Sequence, residues 1–161
     1  MAKSQSKAGN GKTDATQILA KDHRLVERII EKFDKLEDGD TEKKEQLVRE
    51  ACNELKVHAI VEEEIFYPSV RRALDEGDII DEAQVEHEVV KQLIAELEEM
   101  TADDDLYDAK FTVLGEYVKH HVTEEEGELF PMAKRAKVDM EELGEQIRQR
   151  KEELLAQMAA E

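Results

Sequence analysis

Apolar positions recur along this chain at intervals of three and four, the spacing of an α-helix that buries one face. Over residues 13 to about 37, Leu19, Val26, Ile30 and Phe33 share a face. Thr13 or Asp14 is placed to cap the first turn, and Asp38, Gly39 and Asp40 to stop the helix. Thr41 is expected to cap a second helix, with the inner face Leu47, Ala51, Leu55, His58, Glu62 and Ile65. Pro68 is expected to break or kink that run, with one or two further turns over 69–74. Glu76, Gly77 and Asp78 mark the next break. A third helix over about 79–100 carries Ile80, Ala83, His87, Val90, Ile94 and Leu97 on one face. The run 101–105 is expected to end it and to cap a fourth helix. That helix is expected to reach 138, with a kink at Pro131, on the stripe Phe111, Leu114, Val118, His121, Glu125 and Leu129. A last amphipathic segment from Asp139 carries Met140, Leu143, Ile147, Leu154 and Met158. Packing on its own bundle is the plainer reading, packing on another chain the alternative.

No segment alternates as a strand does, and the connections are short. Successive helices then become antiparallel neighbours. The predicted fold is all-α, an up-down-up-down antiparallel four-helix bundle with an extra C-terminal helix. Its expected divisions are a disordered tail over 1–12, the bundle over 13–138 and the C-terminal helix over 139–161.

Composition agrees with helices. The chain is 40% charged and only 4% aromatic, with seven Gly and two Pro, so helix breakers are few. Its 40% hydrophobic content is enough for a core. The net charge of −18 opposes binding to nucleic acid and anionic lipid, both of which present dense negative charge. A single cysteine, Cys52, excludes an intramolecular disulfide and a multi-thiolate zinc site. It suits a reducing, cytoplasmic setting and reads as buried filler. No stretch near 20 apolar residues exists to span a membrane, and no signal peptide is expected.

The chemistry lies in what interrupts the stripes. Each of the four main stripes contains one histidine: His23, His58, His87 and His121. A lone core histidine is commonly satisfied by a carbonyl or a glutamate. Four on four inward faces need partners together, because burying an unsatisfied polar group is costly, and a metal would satisfy all four. Two stripes add a glutamate one turn later, Glu62 after His58 and Glu125 after His121. Residues at i and i+4 share a helix face and address one point. A carboxylate can bridge two metals while imidazoles cap each, and this mixed nitrogen and oxygen donor set suits iron. The motif also sits in an internal repeat. KVHAIVEEEIFYP (56–68) aligns without gaps on KHHVTEEEGELFP (119–131), so helices two and four read as copies about a pseudo-twofold axis.

Those segments, with KDHRLVERI and EHEVVKQL, resemble the hemerythrin-like family, or HHE cation-binding domains, over roughly residues 14–138. The resemblance implies a non-heme di-iron centre with an oxo or hydroxo bridge. Its ligands would be His23, His58, Glu62, His87, His121 and Glu125, with Glu62 and Glu125 bridging. The family's oxygen carriers have a second histidine four residues after the third-helix one, where this chain has Lys91. They end with His-x-x-x-x-Asp, where this chain has His-x-x-x-Glu. The departures point away from simple oxygen carriage, toward iron or oxygen sensing or peroxide and nitric oxide handling. Ferritin-like bundles, with Glu-x-x-His pairs, fit the order of residues less well.

Around this set, Tyr117 is a candidate ligand or hydrogen-bond donor, though a core tyrosine is the plainer reading. Glu27 is a candidate for the place of the missing histidine, with a surface salt bridge as the plainer role. His120 is offset from the stripe and is expected to be exposed or to stand behind a ligand, and Glu63 and Glu126, similarly offset, are expected to be solvated. Lys91 is expected to pair with a nearby glutamate. Two functions follow. One is a di-iron protein taking a small diatomic or peroxide ligand, with catalase-like turnover as its enzymatic form. The other is a non-enzymatic iron or oxygen sensor or reservoir, read by a protein partner or a second copy through the C-terminal helix. A structural bundle with adventitious zinc is the remaining reading.

Overall fold

The computed structural model of the protein describes residues 14–161. The expected tail over 1–12, and Thr13 as a cap, lie outside them. All regular structure among the described residues is helical. Helix α1 (Ala15–Asp34) is capped by Asp14. The Asp14 carboxylate accepts from the Gln17 backbone N–H at 2.9 Å, and the Gln17 side chain accepts from the Asp14 N–H at 3.1 Å. That reciprocal pair satisfies two donors with no partner inside the helix. Gly39, at φ +98°, turns the chain in a conformation that costs glycine little. Helix α2 (Thr41–Val61) is capped by Asp40, which accepts from the Lys43 N–H at 3.3 Å, and Thr41 is already helical.

Neither proline ends its helix. After α2 the chain makes one wide π-helical turn, Glu62–Phe66, and continues as α3 (Tyr67–Ala73). The Tyr67 N–H donates to the Glu62 carbonyl, five residues back. The same occurs after α5 (Tyr107–Glu124). There the π turn Glu125–Leu129 precedes α6 (Phe130–Arg135), and the Phe130 N–H donates to Glu125. Proline lacks a donor and its ring crowds the carbonyl four residues earlier. A turn wider by one residue ahead of Pro68 and Pro131 accommodates both effects. Between these units lies α4 (Asp78–Glu98). The run 101–105 does not cap α5. It closes its own turn, with the Thr101 N–H donating to Asp104, and α5 starts at Tyr107.

Cross-helix pairs fix the directions. Asp22 of α1 meets His58 near the end of α2. Lys56 of α2 meets Glu98 at the end of α4, and Lys110, early in α5, meets Glu96, late in α4. The four helices thus run alternately up and down around one core. Helix α7 (Met140–Ala160), capped by Asp139, packs outside this ring on α1, α2 and the first π turn, burying Leu143, Ile147 and Leu154. No described helix is long and apolar enough to cross a membrane.

The core is two apolar clusters. One gathers Leu19, Val61, Phe66, Leu129 and Ile147, and the other Val26, Phe33, Ala51, Ile94 and Phe111. Between them lies a layer of buried polar side chains: His23, His58, Glu62, His87, His121 and Glu125.

Candidate metal centre

All six sequence-selected side chains meet in this layer. Each sits on the inward stripe of its helix, and His58–Glu62 and His121–Glu125 keep the i, i+4 spacing that aims both groups at one point. Their ligand atoms form two groups, each within 4.8 Å. His23, His58, Glu62 and Glu125 make one, and Glu62, His87 and His121 the other. The imidazole pairs are arranged alike, with ring centroids 4.9 Å apart in both.

The carboxylates lie between the pairs. Glu62 turns Oε2 to His58 Nε2 at 3.3 Å and Oε1 to His87 Nε2 at 3.1 Å. Glu125 turns Oε1 to His23 Nε2 at 3.1 Å and Oε2 to His121 Nε2 at 3.2 Å. Each glutamate therefore offers one oxygen to a first pole, at His23 and His58, and one to a second, at His87 and His121.

The outer nitrogen of every histidine meets a carboxylate. His23 Nδ1 meets Glu126 at 2.7 Å, His58 Nδ1 meets Asp22 at 2.9 Å, His87 Nδ1 meets Glu63 at 2.8 Å and His121 Nδ1 meets Glu86 at 2.6 Å. A carboxylate only accepts, so Nδ1 carries the proton and a neutral imidazole turns its Nε2 lone pair inward. That orientation is how a protein prepares a histidine to hold a metal. These four carboxylates are the main miss of the sequence reading, which took Glu63 and Glu126 as solvated and did not single out Asp22 or Glu86. Their signal was positional. Asp22 and Glu86 each precede a core histidine by one residue, and Glu63 and Glu126 each follow a core glutamate by one.

The pseudo-twofold extends through this outer layer, since the Asp22–His58 bond matches Glu86–His121, and Glu126–His23 matches Glu63–His87. Among the side chains facing the centre it breaks where the repeat aligns Tyr67 with Phe130. The Tyr67 hydroxyl stands in the second pole. It donates to Glu125 Oε2 at 2.6 Å and lies 3.1 Å from Glu62 Oε1, 3.3 Å from His87 Nε2 and 3.2 Å from His121 Nε2. Phe130 has no hydroxyl for the first pole. There His23 Nε2 and Glu125 Oε1, at 3.1 Å, and His58 Nε2 and Glu62 Oε2, at 3.3 Å, approach out of line for a hydrogen bond, and all four atoms are buried without another partner. Four lone-pair-bearing atoms converging in a buried space call for a cation.

The same demand shows as proton affinity. Burial by itself would lower His58, but the Glu62 charge and the Asp22 hydrogen bond outweigh it and push it up to about 10. Burial likewise opposes the charge on His121, and Glu125 and Glu62 push it up to about 12. Burial would raise Glu62, yet His58, His121 and His87 hold it well below the usual carboxylate range. Tyr67 is driven well above the usual phenol range by burial and by the Glu62 and Glu125 charges.

Against the histidines lies a cavity of about 40 Å³, lined by all four of them with Leu55, Val90, Ile94 and Val118. A water occupies roughly 10–15 Å³ on this measure, so the space suits one or two small molecules with few polar demands. Lys56 and Lys91 also line it.

The other sequence candidates lie elsewhere. Tyr117 is exposed, and Glu27 pairs with Arg24 at 2.8 Å. Lys91 pairs with Glu63 at 2.7 Å, as expected. His120 is exposed and meets Glu86 and Glu124 at 3.5 and 3.2 Å. Tyr67 escaped the stripe because it follows Glu62 by five residues, a spacing that only a π turn brings inward.

Similarity to known proteins places the fold and the family. The chain is 27% identical over 124 residues to a DNA nickase from a Nostoc species, a match covering 76% of this chain and 34% of that protein. It thus spans about a third of that relative. Its fold matches the crystal structure of a hemerythrin HHE cation binding domain-containing protein from Mycobacterium kansasii. The TM-score is 0.74 at 23% identity, covering 88% of this chain and 87% of that one. The family model for the hemerythrin HHE cation binding domain matches residues 14–133. That span holds the four bundle helices and all six inward His and Glu side chains, and the chain belongs to the hemerythrin HHE cation-binding domain family.

Proposed function

We propose that this protein is a non-heme di-iron protein that binds or processes dioxygen, peroxide or nitric oxide in the bundle core. The observation that carries this reading is the placement of Glu62 and Glu125, each with one oxygen toward each histidine pair. One metal would need a single focus, whereas carboxylates placed in this way could serve two. His23 and His58 would hold one iron, His87 and His121 the other, with Glu62 and Glu125 bridging. The four unpartnered atoms of the first pole fit a cation there, and imidazole with carboxylate is a donor set suited to iron. Tyr67 supplies a further donor at the second pole, where the oxygen carriers' extra imidazole has been replaced by Lys91.

Bound iron would supply a redox-active Lewis acid toward small oxygen- and nitrogen-containing molecules. The chain's own residues do the rest. The outer carboxylates hold the imidazoles in register. The apolar wall of the cavity excludes bulk water and admits a molecule of diatomic or peroxide size. Tyr67 holds a proton against Glu125, within reach of the second pole. The single buried thiol suits a reducing, cytoplasmic setting. Duplex DNA is a poor partner for a chain of net charge −18, so the nickase activity of the longer Nostoc relative is not carried over.

Metal analysis by mass spectrometry, with an absorption spectrum of the same sample, tests the reading. About two irons per chain, with the near-ultraviolet bands of a bridged ferric pair, are expected. A folded sample that takes up no iron on anaerobic reconstitution overturns it. Peroxide consumption by the loaded protein would favour turnover. Its lack, with a large iron-dependent gain in stability, would favour the sensor or reservoir reading.

A further inference from the structure

Beyond each outer carboxylate stands a basic side chain: Arg24 on Glu126, Lys91 on Glu63, the His120 imidazole on Glu86 and Lys151 on Asp22. Three of these side chains belong to the bundle helices and are well exposed, at 45% or more of their surface. Exposed pairs of this kind are screened and contribute little. Lys151 differs in two ways. It comes from α7, outside the segment matched by the family model, and its side chain is only 20% exposed. Its partner is also the most buried of the four carboxylates, with Asp22 at 8% against 19–31% for Glu86, Glu63 and Glu126.

Asp22 divides its oxygens between two duties. Oδ1 accepts from Lys151 Nζ, and Oδ2 accepts from His58 Nδ1 at 2.9 Å. His58 in turn aims Nε2 into the first pole, the one with four unpartnered atoms. Asp22 and Lys151 also line a groove of about 960 Å³ between α1 and α7. An Asp22 side chain released by Lys151 has open space to turn into, and His58 would then lose the acceptor that orients it.

We propose that Lys151 is a positioning residue for the metal centre: through Asp22 it holds His58 in its metal-binding orientation, which makes the seating of α7 a condition for tight binding at the first pole. The inference rests on the di-iron reading and deepens it. It also gives the C-terminal helix a physical means of reporting on, or controlling, one of the two metals. Among the described residues no helix outside the bundle places a cation on the Glu86 or Glu63 carboxylate of the second pole, so the control is one-sided.

The test is anaerobic iron(II) titration against a competing chelator, on the full chain, for wild type, Lys151→Met, Lys151→Arg and Arg150→Met. Wild type should take up two irons. Lys151→Met keeps the aliphatic stem but not the charge. It should lose about tenfold or more in affinity for one iron while retaining the other, the effect typical of disrupting a partner of a ligating histidine. Lys151→Arg should restore the lost affinity. Arg150→Met removes the neighbouring α7 cation, which pairs with the exposed Glu64, and should leave both affinities unchanged. A Lys151→Met protein that binds both irons with wild-type affinity overturns the inference, even if its metal-free form melts lower, because a purely structural role would do only that. A wild-type protein that binds fewer than two irons overturns the di-iron reading itself. The wild-type titration separates that failure from the first.

Discussion

Each core histidine divides its two nitrogens between an outer carboxylate and the interior, and that division makes the residue scale testable. Glu63 accepts from His87 Nδ1 and sits too far round the helix to join the inner set. Glu63→Ala should leave the fold intact and weaken the binding of one of the two proposed irons by about 10–100-fold, read by chelator competition. Cys52 is the opposite case. It is buried, and burial with the nearby Glu98 charge pushes its thiol up to about 12. The thiolate is the reactive form, so iodoacetamide should leave Cys52 unmodified in the native protein and label it once denaturant is added. Intact mass measured before and after unfolding would show this.

At the scale of elements, two devices shape the bundle. The first is the capping box of α1. Asp14→Ala removes it and should cost about 0.5–2 kcal/mol, measured by urea unfolding. The second is the pair of π turns ahead of Pro68 and Pro131. Each starts at an inward glutamate, so the widening falls where the helix must present a carboxylate and then an aromatic residue to the same interior. Helix α7 is held by a different means, the burial of apolar side chains. Ile147 is fully buried between α7 and the bundle, and Ile147→Ala should cost about 2–5 kcal/mol. A value near zero would mean that α7 is not seated in solution.

At the scale of the whole molecule, the central polar layer sets how stability depends on pH. Without metal, His58 and His121 hold protons to about 10 and about 12, while the unfolded chain releases them near the ordinary 6.5. Their contribution is complete below about pH 6.5 and is lost as pH rises through the folded values. Glu62 and Asp22 are held below their ordinary values. Their contribution is present above about pH 4.5 and is lost as pH falls through the folded values. The melting temperature of chelator-treated protein should therefore peak between about pH 4.5 and 6.5 and fall on the alkaline side. On the di-iron reading a bound metal would take the proton's place on the same Nε2 atoms, and the alkaline fall should then be much smaller. A metal-free melting temperature that climbs from pH 6 to pH 9 would contradict this account.

The sequence alone determined the helices and the inner chemistry, because both follow a local period. A side chain three or four residues from its neighbour faces the same way whatever the rest of the fold does. His23, His58, Glu62, His87, His121 and Glu125 were therefore legible as stripe positions before any packing was known. Tertiary structure decided what depends on contacts between helices. Asp22 reaches His58 across 36 residues, Glu126 reaches His23 across 103 and Lys151 reaches Asp22 across 129. No spacing within one helix encodes such distances. Tyr67 was hidden for a related reason. Its inward position depends on a widened turn, and the sequence marked that turn only through the proline that follows.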